Sequence, residues 1–314
     1  MARKKKATKS KKKPARMPRR RCGAMAMHYH LLEMSSGFRK KQVSLEQRTA
    51  RMMDLTMAEL MPSKARVIQV VVHVLFNNDA QNISDRQIDS QLTALNRDFR
   101  LTNPDRSKIP GPFKCRAADS MIEFKLATKD PSGARTNGIT RTRTSKRSFA
   151  ADDSMKSARG GGISPWPTDR YLNIWVCVLT GGILGYAQFP GGPPSTDGVV
   201  ILTTAFGTNG TARAPFNRGR TTTHEVGHFL NLRHIWGDRE DCTGNDFVND
   251  TPGAMMPNFG KPTFPNVSCG NGPDGDMFMN YMDYVDDDSM HMFSAGQVAR
   301  MQATLTMSRS RLGA

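Results

Sequence analysis

One stretch limits what this chain can fold into more than any other: His224-Glu225-Val226-Gly227-His228, followed six residues later by His234. On a helix the i, i+4 spacing stacks two imidazoles on one face. A third imidazole from beyond the helix end completes a set of three neutral nitrogen donors. Such a set holds Zn²⁺ at about 2.0–2.1 Å and leaves a fourth position for water, the open arrangement of a catalytic site. Glu225, between the pair, lies where it can take a proton from that water. The fold must therefore supply a buried helix, read here from about Arg220 to Leu232, and a tight turn after it.

The remaining sequence supplies a scaffold for that helix. Val67-Ile68-Gln69-Val70-Val71-Val72-His73-Val74-Leu75-Phe76 reads as a buried strand, so the folded domain is expected to start near residue 65. Ser84-Asp85-Arg86-Gln87 is a capping box, and the helix it opens carries Ile88, Leu92, Leu95 and Phe99 on one apolar stripe. Further strands are expected at 122–126, 171–178 and 198–202. Residues 129–170 read as a long surface excursion, and Gly185–Pro194 as a Gly/Pro-rich separator. Ser294-Ala295-Gly296-Gln297 starts a closing helix with Val298, Met301 and Leu305. Strand, helix and further strands imply a mixed sheet with packed helices, class α+β or mixed α/β.

Ahead of this domain, residues 1–21 hold 12 Lys or Arg and no acidic residue, which accounts for most of the net charge of +17. That basic tail is read as disordered, able to bind nucleic acid or an anionic surface or only to solubilise. Residues 22–65 read as a short separate segment, with a helix from about Leu45 to Leu60 opened by Ser44-Leu45-Glu46-Gln47. No run approaches the ~20 apolar residues of a membrane span, and no apolar core of a signal peptide follows the basic start. The five cysteines, Cys22, Cys115, Cys177, Cys242 and Cys269, form no CxxC pair. Cys115 and Cys177 read as buried thiols.

Asn280-Tyr281-Met282-Asp283-Tyr284 adds a methionine-containing turn downstream of the three histidines, a pattern that resembles the metzincin endopeptidases. His234-Ile235-Trp236-Gly237-Asp238, Val248-Asn249-Asp250-Thr251-Pro252, Met277 to Tyr284, Leu172-Asn173-Ile174-Trp175 and Leu184 to Pro190 are together similar to the pappalysin family, over roughly residues 67–312. The resemblance implies a metzincin-type zincin: a twisted mixed sheet, a backing helix, the active-site helix and a loop-rich lower subdomain. Residues 66–314 would form the catalytic domain, divided after His234 at 235. Asn231 stands where the family usually has Gly; Asn tolerates the left-handed conformation that the turn needs, so His234 is kept as a ligand.

The resemblance also assigns roles. Tyr284 would assist developing negative charge, and Met282 would form a floor beneath the zinc. Asp287 would lie at the base of the pocket receiving the residue after the cut bond, so cleavage is expected on the amino side of Arg or Lys. Cys242 and Cys269 match a family disulfide, and Asp246 and Thr251 match calcium ligands. Related latent enzymes block zinc with a thiolate, which makes Cys22 a candidate cysteine switch and residues 22–65 a pro-segment, released by cleavage before Lys64 or Arg66. Protein or peptide substrates and an extracytoplasmic location follow from the resemblance. The competing reading is a catalytically silent metal-binding module targeted by its basic tail.

Overall fold

The computed structural model describes residues 19–55 and 57–313; the expectation of a disordered tail falls, for residues 1–18, outside them. Helices are α1 (Ala24–Met34), α2 (Ser36–Met53), α3 (Met57–Leu60), α4 (Asp85–Phe99), α5 (Gly111–Lys114), α6 (Arg220–Phe229) and α7 (Ala295–Met307). Strands are β1 (Arg66–Phe76), β2 (Ile122–Leu126), β3 (Ile139–Arg143), β4 (Tyr171–Cys177), β5 (Gly185–Ala187), β6 (Val199–Leu202), β7 (Phe259–Gly260) and β8 (Tyr284–Val285). Among the described residues no helix is long and apolar enough to cross a membrane.

The apolar run of β1 is explained by its neighbours. Arg66–Val70 pairs with β2, Val72–Phe76 with β3 on the same edge, and Gln69–Val74 with β4 on the other, all in parallel. A parallel strand is covered on both faces, so both sets of side chains are apolar. The order is β2-β1-β4-β6-β5, and only β5 runs antiparallel, against β6. Even-numbered Ile68, Val70, Val72 and Val74 face α4 and α6, meeting Ile88, Leu92, Leu95, Phe99, Val226 and Phe229. Leu75, Trp175 and Val200 face the other way, where Phe149, Met155 and Tyr186 cover them together with Ala24 and Met25 of α1.

The expected stripe of α4 is buried. Its cap is half of the box foreseen: Ser84 accepts from Gln87 N, but the Gln87 side chain donates to Phe206 O and Thr211 Oγ1. At α7 both halves of the box form. Four expectations need correction. The 129–170 stretch contributes β3, whose short, half-exposed sequence hides its pairing; the 185–194 separator begins with β5. Ser35, accepting from Phe38 N, starts α2 far ahead of Ser44, which lies inside the helix. α1 and α2 are stabilised by burial of Ala24, Met25, Phe38 and Leu45 against the domain rather than by the Ser44 signal. Cys177 is buried as expected, but Cys115, one residue past α5, is exposed.

Candidate active site and metal centre

α6 is a poor helix by composition. It has three consecutive threonines, a glycine in its last turn and ten residues, all buried. Its ends are held from outside. Arg220 at the start lies between Asp98 and Asp105, and Asp98 is raised to about 6 by burial, partly offset by Arg220. The helix stops at Phe229, earlier than Leu232, in a Schellman motif: Asn231 N donates to His228 O (2.9 Å) and Leu232 N to Gly227 O (2.9 Å). Asn231 has φ +74°, the left-handed residue the turn requires. Both its side-chain polar atoms are buried, with no partner among the described residues.

The turn returns His234 to the helix face. The Nε2 atoms of His224, His228 and His234 form a triangle with sides of 3.2, 3.2 and 3.1 Å. Each Nδ1 donates elsewhere: His224 to Tyr281 O (2.7 Å), His228 to Leu232 O (2.8 Å) and His234 to Asp238 Oδ1 (2.5 Å). Burial, reinforced by the neighbouring imidazoles, holds His224 and His228 well below the usual histidine range. Those two rings are therefore neutral, and with every Nδ1 turned to an acceptor the three Nε2 atoms converge on one point. Tetrahedral coordination with about 2.0–2.1 Å bonds spaces nitrogens by about 3.3–3.4 Å, so the residues fit a small divalent cation.

Beneath the helix, Met282 lies against Gly227: a Cβ at that glycine would come within 2.5 Å of Met282 Sδ. Glu225 is raised to about 8 by burial. Tyr284 stands across the site, its ring 4.9 Å from His234 and 4.8 Å from Trp236; burial, with Cys22 and Glu225 nearby, keeps its phenol protonated.

The N-terminal residues thread this cleft beside β5. Leu184 N donates to Arg21 O and Gly23 N to Gly185 O, each 2.9 Å, and the pairing is parallel. Cys22 Sγ lies with the three histidine nitrogens in a cluster within 4.8 Å. Its thiol, pushed up by burial and then by the Glu225 carboxylate, donates to Glu225 Oε2 (3.3 Å). Cys22 N donates to Tyr284 Oη (3.3 Å).

Arg20, which sequence reasoning left in the tail, is only 2% exposed. Its Nη2 donates to Asp287 Oδ1 (2.5 Å), Nη1 to Thr221 Oγ1 (3.1 Å) and Nε to Val285 O (3.2 Å). Its guanidinium carbon lies 5.0 Å from the Phe216 ring centroid. Asp287 is fully buried, and its Oδ2 accepts from Arg218 N (2.7 Å) and Arg220 N (3.3 Å).

Two assignments lie away from the cleft. Cys242 and Cys269 are bonded. Asp246 and Thr251 meet at 2.7 Å, whereas Asp250 caps α7 through Ser294 Oγ and Gly296 N. Burial raises Asp246 to about 7. Sequence reasoning missed Asp238, Gly227 and Arg20. Asp238 sits four residues after His234, and Arg20 two before Cys22, and those spacings were the available signals.

The family model described as pregnancy-associated plasma protein-A, peptidase M43, matches residues 163–306. An extracellular metalloprotease of Arthroderma otae is 31% identical over 243 residues, 74% of this chain and 76% of that protein. One from Pyricularia oryzae is 33% identical over 259 residues, 78% and 77% of the two chains. Among solved structures, a promirolysin mutant of Tannerella forsythia is 45% identical with a TM-score of 0.84, covering 93% of this chain and 96% of that one. Mature mirolysin of the same organism, in complex with a cleaved peptide, is 49% identical with a TM-score of 0.76, covering 81% of this chain and 100% of that one. With the three-histidine centre, the metzincin-type sheet and these relatives together, the chain belongs to the pappalysin family of metalloendopeptidases.

Proposed function

We propose that this protein is a zinc-dependent endopeptidase that cuts peptide bonds before Arg or Lys and is made latent. One observation carries the reading: the continuous stretch Arg20-Arg21-Cys22 fills the carboxylate pocket with a guanidinium and caps the three-histidine centre with a thiol. His224, His228 and His234 would hold the zinc, which when bound supplies Lewis acidity to a water and to the scissile carbonyl. Glu225 accepts the proton of the attacking water and returns it to the departing amine. A carboxylate raised by burial suits both halves of that transfer. Tyr284 donates to the oxyanion as it develops. Asp287 pairs with the basic side chain after the cut bond, and the backbone of Leu184 and Gly185 offers an edge to an extended substrate.

Latency follows from the same contacts. With a cation held by the three histidines, Cys22 would be placed to add its thiolate as a further ligand, a form the positive charge would favour over the thiol that burial keeps protonated. Of the two bonds whose cleavage would release the segment, the one before Lys64 is open, since Ser63 and Lys64 are exposed. Arg66 N is bonded to Met121 O (2.9 Å), and its guanidinium to Leu305 O and Thr306 Oγ1. Calcium at Asp246 and Thr251 belongs to the proposal, supported by a buried carboxylate that a cation would stabilise. The disulfide and the extracellular relatives support a place outside the reducing cytosol. Binding of nucleic acid or an anionic surface would rest on the basic tail, nearly all of it outside the described residues.

The test is hydrolysis of protein substrates by the processed enzyme, with cut sites mapped by mass spectrometry. New termini should start with Arg or Lys, and activity should vanish with a chelator and with Glu225→Ala. Cleavage unaffected by Glu225→Ala, or cuts blind to basic residues, would overturn the reading. A silent metal-binding module would cut nothing at all.

A further inference from the structure

The three arginines ahead of Cys22 are held at three places. Arg20 enters the Asp287 pocket, and Arg21 Nη1 donates to Gly181 O (2.9 Å). The guanidinium carbon of Arg19 lies 4.8 Å from the centroid of the Phe259 ring. Cys22 marks the metal centre and Arg20 the pocket, so Phe259 stands one residue farther from the metal than Asp287. That order holds whichever way the occupying chain runs.

Phe259 is fixed at this station. It pairs in β7 with Tyr284 of β8, and its ring lies 6.0 Å from the Tyr284 ring. The next residue of β8, Val285, offers the carbonyl that receives Arg20 Nε. Asn258, just before it, is buried, with its N and Nδ2 both donating to Asp283 (2.9 Å each). The residue is half-buried, and the guanidinium of Arg19 lies over its ring. An aromatic face at that distance attracts a cation, and a planar guanidinium stacks on it better than an ammonium.

We infer that Phe259 is a specificity-determining residue forming a second cationic subsite. Resting on the Asp287 reading, it makes the processed enzyme favour peptides in which the basic residue after the cut bond is followed by another, Arg above Lys. The contact is partly solvated, so its effect is about two- to five-fold in kcat/KM.

The experiment uses processed enzyme and peptides alike except at two positions. Arg follows the cut bond in one set, with Arg, Lys, Ala or Glu next; a further peptide has Ala directly after the bond. Arg at the second position should exceed Ala by about two- to five-fold, and Phe259→Leu should erase that difference while leaving Arg over Ala at the first position intact. No second-position preference in the native enzyme would overturn the inference. So would a preference that survives Phe259→Leu, which would come from the acidic field of Asp286 and Asp288, or an equal loss on every peptide, which would mark a structural role. Indifference to Arg at the first position would instead sink the Asp287 reading, and the inference with it.

Discussion

Replacing Arg20 by Ala in the full-length chain should release activity without any cut. In the closed arrangement Arg20 satisfies Asp287, Thr221 and Val285, and both members of its ion pair are essentially inaccessible to water. Arg20→Ala leaves Asp287 with only the Arg218 and Arg220 amides. Removing one partner of a buried pair costs about 3–5 kcal/mol, or two to three and a half decades in an equilibrium constant at about 1.4 kcal/mol per decade. Opening rehydrates Asp287 and recovers part of that penalty, so the lower end applies: about a hundredfold rise in the open population. Arg20→Lys keeps the charge but gives up the fork of donors, and should raise it about tenfold. The assay is hydrolysis of a quenched fluorescent peptide with one Arg, using chains that also carry Lys64→Ala to slow self-processing, with intact mass checked before and after. An Arg20→Ala chain as inert as its parent, yet fully active once the segment is removed, would refute the argument. Latency would then rest on Cys22 alone.

Three further outcomes follow from contacts described above. Both carboxylate oxygens of Glu46 in α2 accept from Nη2 of buried Arg300 (2.7 and 2.6 Å), whose Nε also donates to Asn231 O; Glu46→Ala should loosen the segment, seen as faster amide exchange across α2 and faster processing. Asn231→Gly keeps the left-handed turn and removes two buried unpartnered atoms, so it should stabilise the protein by about 1 kcal/mol, read by denaturant unfolding. Asp246 is protonated in the folded protein up to about pH 7; its unfolded value is lower, so calcium-free stability should fall as pH rises from about 4 to 7. Calcium should then raise Tm more at pH 8 than at pH 5, and equal shifts at both would discount the site.

What was legible followed from periodicity and fixed spacing. The runs at 67–76 and 171–178 announced strands because both faces of a parallel strand need apolar cover. The three histidines announced the centre because coordination fixes residue types, and Met282 was added by the family resemblance. β3 and β5 escaped because Ile139–Arg143 and Gly185–Ala187 carry little apolar character of their own; they are strands through the partners they meet. Arg20 escaped for a related reason. In a run of arginines nothing local distinguishes the one that finds a buried carboxylate 267 residues away. Asp238 and Gly227 act on ligands rather than as ligands, and only packing reveals them.

The glycine at 227 has a consequence for how the molecule comes together. A ten-residue segment with three adjacent threonines and a glycine in its last turn has almost no tendency to coil unaided. Its shape is lent by Arg220 in its acidic cradle, by the reversal at Asn231 and by Met282 pressed into the gap that a side chain at 227 would fill. The residues that lend it come from α4 and the loop after it, from the turn and from the last quarter of the chain, so the imidazoles converge only after distant parts have docked. Losing Met282 or Arg220, which hold the helix rather than serve as ligands, should therefore disperse the three imidazoles.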